Sequence, residues 1–304
     1  MTRRIRGQLA TRIQALSACV EPACASTIRF DLSEVVRMTI EMKNTTCAYS
    51  PCPNDTFIFC QLAQDRDIDV HLHDVETLNR MAFEERFDIT KLSFHAWLLL
   101  QDKYQLLKVG AALGRGCGPL VISRQDAGDT YRRHLAGPVA VPGEYTTAHL
   151  LLRLWNPELK NRVFMPFDQI MDAVASGKAD AGIIIHEGRF VFEERGFQCL
   201  EDLGEWWEGE TGLPIPLGCI AAKKSLGSER IAEFEARLKS SIQTAFDDPA
   251  STTDYVKAHA QELEDTVIRK HIETYVNDFT LDLGEEGRAA INKLNELAKA
   301  AGVY

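Results

Sequence analysis

The 304-residue sequence lacks several patterns that would place it in a familiar class. It contains no apolar run that approaches the roughly 18 residues of a membrane-spanning helix, so we expect a soluble protein without membrane contact. Its eight cysteines form no CxxC pair, which argues against a zinc site or a disulfide framework. It has no GxGxxG or Walker loop, no nucleophile elbow and no zinc signature. The motifs therefore indicate neither a nucleotide nor a metal.

Basic residues are too few and too scattered to indicate a nucleic-acid partner. The chain carries 34 Lys and Arg against 44 Asp and Glu, a net charge of −10, and no dense basic stripe. Hydrophobic residues make up 45% of the sequence and charged residues 26%. This balance is typical of a globular protein with a full core, in one large domain or two.

The first 43 residues differ from the rest of the chain. Arginines punctuate this stretch, and it has no strong hydrophobic period. Leu16–Cys19 has the form of a bacterial lipoprotein cleavage box, but polar residues interrupt the apolar segment that an export signal needs before it. We predict a disordered extension over residues 1–43, with a true start at Met38 or Met42 as the alternative, and a cytoplasmic location.

Strands and helices alternate from Thr45 onward, which predicts an α/β fold with largely parallel sheets. Two extended crossing segments interrupt the alternation, so we expect two α/β lobes with a cleft between them. The first lobe comprises residues 44–122 and 218–304, with the C-terminal helices, and residues 123–217 form the inserted second lobe. Ligands of such folds bind at the carboxyl ends of strands, which would face the cleft.

The segment SPCPNDTFIF, Ser50–Phe59, places two prolines and an Asn-Asp pair between a strand and a helix. The prolines fix their own φ and restrict the residues before them, so the turn has one shape. Asn54 and Asp55 can cap the helix and leave other first-turn N–H groups free. The turn suits an anion site that includes Ser50, although on local grounds a purely structural connection is favoured.

His186 is the sharpest candidate for chemistry. Three isoleucines precede it in AGIIIHEGRF and drive the strand into the core, so the imidazole emerges at a semi-buried strand end. Desolvation lowers the pKa of a histidine and keeps the ring neutral near pH 7, as a general base requires. A hydrogen-bonded core histidine is the alternative. Glu187 could orient His186, yet adjacent residues on a strand point to opposite faces.

Further candidates follow predicted strands or lie in a glycine loop, where α/β folds build their sites. Thr146 and Thr147 begin a helix after a Pro-Gly turn, so they suit a carboxylate or a sugar oxygen, and plain helix capping explains them equally well. Arg115 lies between two glycines and could bind a carboxylate bidentately, or it is a solvated loop arginine. Lys91 and Ser93 are similarly ambiguous.

The other histidines are weaker candidates. His71 and His73 alternate on one predicted strand, but no third ligand is evident, so we predict no metal site there. We expect roles in packing or on helix surfaces for His95, His149, His259 and His271.

Eight segments, in order from about Thr45 to the last helix, resemble the 1,4-dihydroxy-6-naphthoate synthases of the futalosine route to menaquinone. They are SPCPNDTFIF, DVETLNR, TKLS, ALGRGCGPLV, VPGEYTTAHLLL, ADAGIIIHEGRF, TGLPIPLG and AHAQELEDTVIRKHIETYVNDFTLDLGEEG. The resemblance implies a two-lobed, type II periplasmic-binding-protein-like fold. It also implies a small-molecule carboxylate substrate, cyclic dehypoxanthine futalosine, which is converted to 1,4-dihydroxy-6-naphthoate and a sugar-derived fragment without a metal or organic cofactor.

The resemblance also suggests site residues and leaves two other functions open. The family's proton acceptor falls on His186. Its substrate-contacting segments fall on Lys91, Leu92, Ser93, Thr146 and Thr147. A solute-binding protein for a carboxylate ligand is one alternative, and it would need export. A chorismate dehydratase of the same pathway, which shares the fold, is the other.

Overall fold

The computed structural model describes residues 44–125, 135–260 and 264–304. The extension predicted for residues 1–43 lies outside the described residues. Within these ranges no helix has both the length and the apolar character needed to cross a bilayer.

The described residues contain eleven strands. They are β1 Thr45–Tyr49, β2 Ile68–Leu72, β3 Ile89–Ser93, β4 Tyr104–Leu106, β5 Ala112–Gly114, β6 Leu120–Arg124, β7 Val139–Val141, β8 Arg162–Phe164, β9 Ala181–Ile184, β10 Phe197–Asp202 and β11 Ile215–Lys223.

Twelve α-helices lie in the same ranges. They are α1 Pro53–Phe59, α2 Val75–Phe83, α3 Phe94–Leu99, α4 Thr147–Trp155, α5 Ile170–Ala175, α6 Gly188–Val191, α7 Leu203–Thr211, α8 Ser228–Asp247, α9 Thr253–His259, α10 Asp265–Tyr275, α11 Asp278–Leu281 and α12 Gly284–Ala300. The alternation of strands and helices confirms the predicted α/β class.

Two mixed sheets organise these elements. The first has the order β2-β1-β3-β11-β4, with β5 also paired to β11. The second has the order β10-β6-β9-β7-β8. The prediction of largely parallel sheets is wrong, because the extended segments β6 and β11 run antiparallel to their neighbours. Parallel pairing is confined to β1 with β2 and β3, and to β7 with β8 and β9, among the described strands.

Burial follows the local sequence. Strands β7 and β9 are apolar along their whole length and fully buried, as expected of strands covered on both faces. Helix α8 buries one stripe at helical spacing, including Ile231, Phe234, Leu238 and Ile242. Burying each such side chain contributes roughly 1.5–3 kcal/mol, so this helix is held mainly by its apolar face.

The parallel strands bring the candidate residues to one place. Ser50 follows β1, Ser93 ends β3, the Thr146 loop follows β7 and His186 follows β9. All four residues line one cavity. The topology therefore explains why residues far apart in sequence meet at the carboxyl ends of these strands.

Candidate active site

A cavity lies at these strand ends. It holds about 650 Å³ of space free of protein atoms, part of it open to solvent. The candidates from the sequence that line it are Ser50, Lys91, Ser93, Thr146, Thr147 and His186.

Two candidates lie elsewhere. The side chain of Leu92 is fully buried in the hydrophobic core, because it points to the opposite face of β3 from Lys91 and Ser93. Arg115 lies at the surface, and its guanidinium donates to Glu286 at 2.8 Å. Arg115 is thus paired with protein groups away from the cavity, and we do not expect it to bind a ligand there.

A buried ion pair occupies one wall of the cavity. Asp55 is 1% exposed, and its Oδ1 accepts from Lys91 Nζ at 2.5 Å and from Asn54 Nδ2 at 2.9 Å. Its Oδ2 accepts from the Ser50 hydroxyl at 2.6 Å. Because the carboxylate has a counter-charge and hydrogen bonds to both oxygens, the cost of burying it is offset.

Sequence reasoning placed Asn54 and Asp55 at the helix cap, and this prediction is wrong. Cys52 occupies the N-cap position without a side-chain cap bond, and Pro53 begins the helix. Proline suits the first helical position because its missing N–H leaves one fewer group to satisfy. The two polar side chains instead join the hydrogen-bond network of Lys91. Asp55 and Lys91 are 36 residues apart in the sequence, so local patterns do not show that they pair.

His186 lies in the turn after β9 with a left-handed φ of 56°. Its ring packs on Phe167, with centroids 4.9 Å apart, and stacks on His271 at 5.9 Å. Burial lowers the pKa of His186, so the ring is neutral near pH 7. Its Nε2 is buried and has no hydrogen-bond partner among the described residues. Such a ring can accept a proton from a molecule in the cavity.

His271 is a buried residue that packs against His186 and does not itself line the cavity. It lies on α10, is 1% exposed, and its Nε2 is 3.0 Å from Asn54 Oδ1. Tyr275, one turn later, lines the cavity and packs against the His271 ring. The spacing of four residues between His271 and Tyr275, which puts both on one helix face, was the sequence signal for this pair. No group of three His, Cys, Asp or Glu in the described ranges is arranged to hold a metal ion.

The paired threonines already have protein partners. The Thr146 hydroxyl accepts from the His149 N–H at 3.2 Å and so caps α4, as one of the two sequence interpretations predicts. The Thr147 hydroxyl donates to the Leu217 carbonyl at 2.6 Å. Thr147 and Ala148 open the helix and line the cavity. Backbone N–H groups at this position suit a negative charge.

Glu76 connects the two sides of the cavity. Its carboxylate, on α2, accepts from the backbone N–H groups of Glu144 at 3.0 Å and Tyr145 at 3.1 Å. Asn79, one turn later, donates to Glu76 at 3.3 Å and to the Ser93 hydroxyl at 3.1 Å. One chain of hydrogen bonds thus ties Ser93 to the loop that precedes α4.

Two more buried histidines support this loop. His95 Nδ1 lies 3.2 Å from the Thr146 carbonyl, and His149 Nδ1 lies 2.7 Å from the Glu144 carbonyl. Burial lowers the pKa of His95 and of His149 to about 4. Both rings are therefore neutral in the folded protein at pH 7.

We expect the free energy of unfolding to fall as the pH drops from about 6.5 towards 4. In the unfolded chain each histidine binds a proton below pH ~6.5, whereas in the folded chain His95 and His149 do not. Each contributes a slope of up to about 1.4 kcal/mol per pH unit in this window. Urea denaturation at a series of pH values and constant ionic strength measures this slope.

His149→Asn tests this assignment, because the amide can still donate to the Glu144 carbonyl. The slope of the free energy of unfolding against pH should fall by the contribution of about one proton, up to about 1.4 kcal/mol per pH unit. Ser240→Ala changes an exposed serine on α8 that has no group to titrate, and it should leave the slope as it is. An unchanged slope in His149→Asn would contradict the assignment.

Comparisons with known proteins agree with the predicted family. A family model described as Menaquinone biosynthesis matches residues 45–300. A Streptomyces coelicolor protein named 1,4-dihydroxy-6-naphthoate synthase is 46% identical over 266 residues, covering 84% of this chain and 93% of that protein. A Thermus thermophilus protein of the same name is 44% identical over 272 residues, covering 86% and 96%.

Solved structures confirm the fold. A crystal structure of an Archaeoglobus fulgidus protein matches with a TM-score of 0.79 and 36% identity, covering 85% of this chain and 98% of the other. A Candida albicans protein described as having the generic periplasmic binding protein fold matches with a TM-score of 0.64 and 12% identity, covering 86% and 90%. The second likeness concerns the fold alone, and it bears out the predicted periplasmic-binding-protein-like architecture.

Proposed function

This chain belongs to the menaquinone biosynthesis family, and we propose that it is a cytoplasmic lyase that converts cyclic dehypoxanthine futalosine to 1,4-dihydroxy-6-naphthoate and a sugar-derived fragment. The name shared by the two bacterial relatives supports the product. The observation that carries the proposal for the chemistry is the neutral His186 ring, with an unpaired nitrogen, at the end of the cavity.

In the proposed reaction, His186 removes a proton from the carbon beside the substrate carbonyl. The electron pair forms an enolate, the electron pair of the breaking carbon–carbon bond leaves with the fragment, and the fragment takes up the proton from His186. Formation of an aromatic diol drives this step. In this proposal the N–H groups that open α4, at Thr147 and Ala148, and the Ser93 hydroxyl stabilise the developing negative charge.

The Lys91 side of the cavity is the proposed site for the substrate carboxylate. An ammonium group has three donors, and Asp55 takes one of those of Lys91. The other two can face an anion in the cavity that Lys91 lines, whereas the single hydroxyl hydrogen of Ser50 is donated to Asp55. Because Asp55 balances the charge of Lys91, the empty site carries no unpaired buried cation.

Turnover tests the proposal directly. Purified protein is incubated with cyclic dehypoxanthine futalosine, and 1,4-dihydroxy-6-naphthoate is followed by its absorbance and by mass spectrometry. Formation of the naphthoate supports the proposal. Binding without conversion would instead indicate a solute-binding protein, and turnover of chorismate in a parallel reaction would indicate the dehydratase.

A further inference from the structure

Glu187 lies on the same side of the fold as His186, contrary to the prediction from strand alternation. Strand β9 ends at Ile184, His186 is left-handed, and Glu187 is helical, with φ −63° and ψ −23°. The two-residue alternation of a strand therefore does not apply here. The Glu187 carboxylate lies 3.7 Å from Nδ1 of His271, and the His271 ring stacks on His186 with only 18° between the planes.

Hydrogen bonds determine which nitrogen of His271 carries the hydrogen. Asp55, ionised against Lys91, only accepts, so Asn54 must donate to it through Nδ2. The Asn54 Oδ1 then faces His271 and can only accept. His271 Nε2 is therefore the donor in the 3.0 Å contact, and Nδ1 of the neutral ring is a bare acceptor.

A bare Nδ1 leaves the charge of Glu187 unpaired. Nδ1 carries no hydrogen, so it cannot donate to the Glu187 carboxylate 3.7 Å away. Nor does any of the described residues donate a hydrogen bond to Nδ1. Burial and the neighbouring His186 keep the pKa of His271 well below its ordinary value, so the ring stays uncharged. The Glu187 side chain is only 19% exposed, and its field is therefore weakly screened.

Glu187 dominates the negative charge that acts on His186. Burial lowers the pKa of His186 most, and Glu187 opposes this more than any other charged group. Asp55 and Asp74 act in the same direction with smaller effects, and Lys91 lowers the pKa. Asp55 and Lys91 form an ion pair and largely cancel.

We propose that Glu187 is a positioning residue, which stabilises the imidazolium that His186 becomes on taking the substrate proton, while His271 lies between them as an uncharged spacer. This inference rests on the function proposed above. The proton moves from carbon to His186, the electron pair stays on the substrate, and Glu187 accepts no proton. A buried imidazolium without a nearby carboxylate would be costly, so this charge lowers the barrier.

Glu187→Gln tests the proposal, because it removes the charge and keeps the shape. The Glu187 side chain makes no cap bond at the start of α6, so the variant should fold. Without the carboxylate the imidazolium is less stable, so the His186 pKa should fall further, and the acidic limb of kcat/KM should move to lower pH. His186 is then a weaker base, and we expect kcat to fall about 10-fold with KM nearly unchanged.

Two readouts separate this role from a structural one. Titration of 13Cε1-labelled histidines by NMR follows the His186 pKa in the full chain without substrate, with the signal assigned from His186→Asn. The pH profile of kcat/KM follows it during turnover. Glu194→Gln is the matched control, since Glu194 is exposed and close in sequence, and it should change neither readout.

The outcomes are distinguishable from those of the proposed reaction. A lowered His186 pKa in Glu187→Gln supports the electrostatic role even if the wild type fails to convert the futalosine. An unchanged or raised pKa in the folded variant would overturn it. His271→Phe keeps an uncharged ring, so the His186 pKa should stay within a few tenths of a unit of its wild-type value. A shift as large as that of Glu187→Gln would overturn the spacer role.

Discussion

His186→Asn is expected to lower kcat by about 10²–10⁴-fold, the range that general-base catalysis typically contributes. The amide cannot take up a proton near pH 7. Asparagine is a fitting replacement because it tolerates the left-handed φ of 56° better than most residues. Single-turnover kinetics with saturating substrate measure the loss, and thermal unfolding checks the fold.

His71→Asn is the matched control for this experiment. It removes a partly exposed histidine on β2, outside the cavity, and should retain near-normal turnover. If His186→Asn also kept near-normal turnover, His186 would not be the base. Loss of activity together with loss of the folded state would assign His186 a structural role, because its ring contacts Phe167 and His271.

Asp55→Asn is expected to lower the free energy of unfolding by about 3–5 kcal/mol, as is typical when one partner of a buried ion pair is removed. The Lys91 side chain is 7% exposed and would lose its counter-ion. Urea denaturation at pH 7 measures this loss. The variant should also lose turnover, because Asp55 holds Ser50, Asn54 and Lys91 in place.

The double variant Asp55→Asn with Lys91→Met separates stability from function. It buries no unpaired charge, so most of the stability should return, whereas turnover should not, because the donors of Lys91 are lost. Asp65→Asn is the control: Asp65 pairs with Arg237 at the surface and is 45% exposed, so the loss should be at most about 1 kcal/mol. A double variant as unstable as Asp55→Asn would show that the unpaired lysine is not the cause.

The site could be predicted where it follows strand ends, and less well elsewhere. Ser50, Ser93 and His186 were found because each ends or follows a strand, and local patterns of hydrophobicity show where the strands end. Arg115 was wrongly assigned to the cavity because a glycine-rich loop indicates backbone flexibility and does not show which way the arginine side chain points. One of its actual partners, Glu286, comes from the distant helix α12.

The sequence by itself determined the α/β class, the family and the neutral histidine at the end of a buried strand, because periodicity, segment resemblance and desolvation are all readable along the chain. Only the tertiary structure decided what surrounds that histidine. The left-handed turn at His186 brings Glu187 to the same side, and the packing of α10 brings in His271. Asp55 meets Lys91 only when β1 and β3 lie side by side. Such contacts depend on backbone direction and on long-range packing, and no local pattern encodes them.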